Sequence, residues 1–87
     1  MNNSNTYYQV EIHVFEDQID IAKHVMNWDA ALSEQFDYKG FGIWCSAAAF
    51  EAGFDEDSAQ ELKEFAEDRL KENRISSFYV EIEETNE

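Results

Sequence analysis

The sequence predicts an α+β domain in which an antiparallel sheet of three or four strands carries two helices on one face. Stretches near both ends alternate apolar and polar residues with the period of a strand, and two internal stretches repeat apolar residues with the period of a helix. Between the helical stretches lies a short segment containing Gly40 and Gly42, suited to a hairpin. At 87 residues the chain is expected to form one domain, residues 1–87, around a single modest core. Hydrophobic residues make up 44% and aromatics 15%, well above the content of a disordered acidic tail, so the chain is expected to fold.

Residues 6–15 form the first strand, with Tyr8, Val10, Ile12 and Val14 on one face and Tyr7, Gln9, Glu11 and His13 on the other. Asp17 is placed to cap a helix whose apolar stripe is Ile21, Val25, Trp28 and Leu32; it ends by Ser33, and Asn27-Trp28-Asp29 offers an earlier break. A short strand through Phe36 and Tyr38 follows, then a turn at Lys39-Gly40 and a second strand from Phe41. Residues 46–52 read either as more of that strand or as a short helix capped by Ser46 and stopped by Gly53. Asp55 opens the strongest helix, which runs to Asn73 with Ala59, Leu62, Ala66 and Leu70, flanked by Phe65, as its buried stripe. Acids in its first turn, with Lys71 and Arg74 near its end, complement the helix dipole. In the last strand, 75–83, Phe78, Val80 and Ile82 alternate with Tyr79, Glu81 and Glu83, while residues 1–5 and 84–87 are expected to fray. The order strand, helix, strand, strand, helix, strand is that of the ferredoxin-like β-α-β-β-α-β arrangement. A three-stranded sheet with 46–52 as an extra helix is the alternative. No repeat, proline or linker divides the chain.

Charge is the main functional clue. Twenty acidic residues against six basic give a formal net charge of −14, which costs the compact state self-repulsion. A surface of this sign repels anionic lipid and nucleic acid, so the expected partner is a protein with a basic site, with no direct contact to nucleic acid or membrane. Cys45 is the only cysteine, which rules out an internal disulfide and fits a reducing cytoplasm. The first residues have neither a basic region nor an apolar run, and no stretch approaches the roughly 18 to 20 apolar residues of a membrane span. A cytoplasmic location is therefore expected.

The acids of the second helix are arranged as well as numerous. Asp57, Glu61, Glu64, Asp68 and Glu72 follow one another at spacings of four, three, four and four, which puts them in one stripe. The stripe is roughly 22 Å long at about 1.5 Å per residue, and one DNA strand carries about six phosphates over that length. A charge run is ordinarily just the solvated face of a surface helix. Against that reading, like charges at these spacings repel, and only Glu67 and Lys71 form a well-oriented compensating pair on this helix. The excess also continues outside the helix: residues 51–87 hold 13 acids against 4 bases, and residues 1–50 hold 7 against 2. Adaptation to a saline cytoplasm gives similar acidity, but Trp28, Trp44 and seven phenylalanines are no part of that pattern.

Other chemistries find less support. Lys39-Gly40-Phe41-Gly42-Ile43 resembles the start of the RNA-recognition-motif signature. Ile43 and Ser46, however, stand where that family has aromatics, and Glu11 and His13 occupy the centre of the first strand, so the base-stacking platform is incomplete. His13, His24 and Cys45 are scattered over a strand, a helix and a central strand without zinc-ligand spacing. Asp55-Glu56-Asp57 begins like a calcium loop, but Gln60 sits where the turn needs glycine. No nucleophile has a histidine in a recognisable motif and no glycine-rich phosphate loop is present, so neither catalysis nor a cofactor is expected.

The strand-like Gly42-Ile43-Trp44, the connection Phe54-Asp55-Glu56-Asp57 and the acidic helix Ser58 to Glu72, in an acidic chain of this size, together resemble a known type of protein. It is that of the small phage-encoded anti-CRISPR and antirestriction inhibitors that imitate nucleic acid. The resemblance covers about half the chain and is one of type. It implies stoichiometric inhibition in the cytoplasm of an infected bacterium, with the stripe entering the basic DNA groove of a CRISPR effector complex or restriction enzyme. Asp57, Glu61, Glu64, Asp68 and Glu72 would then stand in for phosphates, Glu81 and Glu83 would extend the footprint, and Tyr79 or Tyr7 would anchor it. The rival expectation is an interaction or regulatory domain that binds through sheet aromatics, with Tyr7, Phe41, Trp44 and Tyr79 as candidates.

Overall fold

A computed structural model of the chain describes residues 6–46 and 55–86. The expected N-terminal fray and most of the ambiguous 46–52 segment lie outside these residues. The first strand, β1, spans Thr6–Val14 and is followed by a 3₁₀ turn at Glu16–Gln18. Two helices come next, α1 (Ile19–Trp28) and α2 (Ala30–Gln35), and then a hairpin of β2 (Phe36–Gly40) and β3 (Ile43–Ser46). Helix α3 (Glu56–Glu72) and strand β4 (Phe78–Asn86) complete the chain. The four strands are antiparallel in the order β2-β3-β1-β4, the strand order of the ferredoxin-like arrangement.

The alternation of β1 works as expected. Val10, Ile12 and Val14 are buried and oppose Ile82, Val80 and Phe78 of β4, while Ile12 also opposes the buried Trp44 of β3. Ala22, Val25 and Met26 of α1, Leu32 of α2 and Ala59, Leu62, Ala66 and Leu70 of α3 join the same core cluster, so the three described helices cover one face of the sheet. Fully burying a side chain such as Ile12, Leu32 or Leu70 contributes about 2 to 3 kcal/mol.

The first helix departs from the single stripe that its spacing suggests. Asp29 takes an extended conformation, and its Oδ1 accepts from the N–H groups of Ala31 and Leu32. It therefore caps a new helix instead of continuing the old one. The apolar face rotates at that break: Ala22, Val25 and Met26 are buried, whereas Ile21 and Trp28 are exposed. Asp17 caps nothing and accepts from the Ser77 hydroxyl. Its neighbour Gln18 accepts from the N–H groups of Ser76 and Ser77, tying this turn to the start of β4.

The hairpin turn lies two residues later than expected, at Phe41-Gly42. Gly40, Phe41 and Gly42 all have positive φ. A Cβ on Gly42 would lie 2.6 Å from the Val14 carbonyl oxygen, so close approach of β1 as well as conformation demands glycine there. Ser46 closes β3, and its buried hydroxyl accepts from the N–H of Val10. At the other end of the chain, β4 continues to Asn86, pairing residues 84–86 with Tyr8, Tyr7 and Thr6 where fraying was expected.

Candidate functional site

Helix α3 is fixed at both ends. The Asp55 carboxylate accepts from the N–H of Ser58, and this bond holds its carboxyl below the usual range. At the C-terminus Arg74 adopts positive φ; its N–H reaches the Lys71 carbonyl and that of Ile75 reaches the Leu70 carbonyl. This closure is normally built on glycine, and it seats the buried Ile75 near Leu70.

With Ala59, Leu62, Ala66 and Leu70 turned to the sheet, the acids point away from it. Asp57, Glu61, Glu64, Asp68 and Glu72 are all exposed and share an arc of roughly 80° at about 100° per residue. Among the described residues no ion pair involves any of them. Two of the helix's three cations are engaged elsewhere: Lys63 pairs with Glu67 at 3.6 Å, in place of the Glu67–Lys71 pair suggested by spacing, and Arg69 pairs with Asp29 at 2.8 Å, while Lys71 is exposed. Trp28 is 80% exposed and borders, with Asp29, Arg69 and Glu72, a shallow depression at the end of the stripe. Its helical spacing had marked it as core, and the break at Asp29 is what releases it.

Tyr79, Glu81 and Glu83 do not join this surface. In β4 they oppose His13, Glu11 and Gln9 of β1 on the sheet face that the helices leave open. That face looks the opposite way from the stripe, so the eight sequence candidates divide into five on α3 and three on the sheet. Of the aromatic candidates, Trp44 is only 3% exposed and packs against Tyr38 within the fold, which removes it as a surface anchor. Phe41 is 93% exposed at the hairpin turn. The side chain of Tyr7 lies outside the described residues.

The open sheet face holds a cluster of its own. His13 Nε2 lies 3.0 Å from Glu11 Oε1 and 3.4 Å from Glu81 Oε2, and its ring stacks on Tyr79 with centroids 4.5 Å apart and planes 2° from parallel. A hydrogen bond to Glu11, with Glu11's charge second, raises the Glu83 carboxyl above its ordinary range. Burial, followed by the charge of Glu11, pushes the Cys45 thiol up, which keeps it protonated and opposes activation as a nucleophile. Reading histidines and cysteines along the sequence missed this group, because its members meet only through the pairing of β1 with β3 and β4. The segment 39–43 holds the end of β2, the Phe41-Gly42 turn and the start of β3.

No protein-family model, curated protein or solved structure matches the chain. Among the described residues no helix is long and apolar enough to cross a membrane.

Proposed function

We propose that this chain is a non-catalytic inhibitor whose α3 carboxylates imitate the phosphates of nucleic acid. They occupy the basic DNA-binding groove of a bacterial defence complex, a CRISPR effector or a restriction enzyme, and block target DNA. The observation that carries the proposal is the outward row of five exposed acids, without an ion-pair partner among the described residues. A row of fixed negative charge releases counterions from a basic groove and steers association over long range. Resemblance in size, charge and helix placement to anti-CRISPR and antirestriction proteins supports the class of partner. The contact is confined to the α3 side, where Trp28 supplies the kind of exposed aromatic that commonly anchors interfaces. Tyr79, Glu81 and Glu83 face away from it.

The test is capture from nuclease-treated bacterial lysate by the wild-type chain and by the triple variant Glu61→Gln, Glu64→Gln, Asp68→Asn, followed by DNA-binding assays on the captured enzyme. Wild type is expected to retain a DNA-binding defence enzyme and displace its DNA, and the folded triple variant to do neither. Glu64→Gln alone should change little, and Trp28→Ala should weaken capture without unfolding the chain. Equal capture by wild type and triple variant, with loss on Phe41→Ala, would instead establish docking through exposed aromatics.

A further inference from the structure

We propose that Glu11, His13 and Glu81 form a binding site for a borderline divalent transition-metal ion of the Zn²⁺ type, with solvent completing its coordination. The site lies on the open sheet face, opposite the α3 stripe, and does not depend on the function proposed for that stripe.

The fold places the three donors without any special loop. Glu11 and His13 are two residues apart on β1 and so project from the same face, while register sets Glu81 directly across from Glu11 and Tyr79 across from His13. Stacking on Tyr79 fixes the plane of the imidazole and turns Nε2 toward both carboxylates. Two donors about 2.1 Å from a common ion stand roughly 3.0 Å apart at octahedral and 3.4 Å apart at tetrahedral angles. The separations from His13 Nε2 are 3.0 and 3.4 Å, and all three donor atoms lie within 4.8 Å of one another.

Hydrogen bonding alone leaves this arrangement half explained. Nε2 carries at most one hydrogen and donates well to one acceptor, yet two carboxylate oxygens flank it. An ion between them satisfies all three groups. Cys45 of β3 lies directly across from Glu11, and Glu83 stands diagonal to it across the β1–β4 pair, so both flank the Glu11 carboxylate on the same face. Mixed imidazole and carboxylate donors favour zinc and its neighbours over calcium or magnesium, which prefer oxygen alone. Glu81 is about half exposed, with 47% of its side chain accessible, so the site opens to solvent.

The experiment titrates the chelator-treated full chain with Zn²⁺ by calorimetry and with Co²⁺ by visible absorption, and follows the His13 ring by NMR. One Zn²⁺ per chain is expected, with a shift of the His13 ring signals and a Co²⁺ absorption band that Mg²⁺ does not displace. His13→Gln and Glu81→Gln should each weaken Zn²⁺ by more than the roughly tenfold that losing even an outer-shell partner costs. The double variant Asp20→Asn, Glu34→Gln removes two exposed charges elsewhere and should leave the affinity unchanged. Glu81→Gln changes a surface side chain and tests the site even if His13→Gln disturbs the sheet. Absence of binding, or several weak equivalents that respond equally to Glu81→Gln and to the double variant, overturns the proposal.

Discussion

Asp29 uses both carboxylate oxygens. Oδ1 caps α2 through Ala31 and Leu32, and Oδ2 accepts from Nε and a terminal nitrogen of Arg69 on α3. The Asp29 side chain is 9% exposed and that of Arg69 is 39% exposed. Losing the cap costs about 1 kcal/mol, and losing the ion pair about 1 more once solvent around Arg69 is allowed for. Asp29→Ala is therefore expected to lower the melting temperature by roughly 8 to 16 °C for a domain of this size, read by circular dichroism. Asp29→Asn keeps an oxygen for the cap, loses the charge, and should fall between. At this scale the sequence is hardest to read. Trp28 and Trp44 look alike in composition, yet one is exposed and the other buried, because the conformation of a single capping residue decides which way α1 faces. Glu11, His13 and Glu81 are as hard to find, since their meeting depends on a register between strands almost seventy residues apart.

Among the elements, β1, α3 and β4 are legible as elements because each carries a full period of its pattern with one face buried, but β4 begins at Phe78 and not at Ile75, whose N–H instead closes the end of α3 on the Leu70 carbonyl. The α3 stripe shares that legibility: one helix holds all five acids, so spacing alone sets their common face. Elements of six residues or fewer, α2, β2 and β3, are too short for periodicity to fix their limits, and there the hairpin turn shifts by two residues. The start of α3 was readable from its chemistry and carries a pH prediction. The folded-state carboxyl of Asp55 titrates below the ordinary aspartate range, about 3.9 in an unfolded chain, so its contribution to stability is fully present above that value. It is lost as pH falls through the lower folded-state value, where protonation removes the charged acceptor from the Ser58 N–H. Asp55→Asn retains an acceptor without titrating, and its stability should fall less steeply than that of wild type below about pH 4. Amide hydrogen exchange in the first turn of α3 would localise the effect; parallel acid limbs for the two proteins would show that Asp55 has no part in it.

At the scale of the whole molecule, a net charge of −14 sets folding and binding against each other with respect to salt. Like charges at i,i+3 and i,i+4 repel by a few tenths of a kcal/mol, and the successive pairs from Asp57 to Glu72 form four such contacts. Together they cost α3 about 1 kcal/mol at low ionic strength. The triple variant Glu61→Gln, Glu64→Gln, Asp68→Asn removes all four while leaving Asp57 in the first turn, where the helix dipole favours it. Its melting temperature should exceed that of wild type by roughly 4 to 8 °C in low salt. The gap should narrow as added NaCl brings the screening length down to about 8 Å near physiological ionic strength. Affinity for a basic partner should move the other way, since salt removes the counterion gain that a phosphate-like row supplies. Stability rising and affinity falling over one salt series, with both slopes reduced in the triple variant, would show that the stripe is maintained against the interest of folding and for a partner. If neither slope changes, these carboxylates are only the solvated face of a helix.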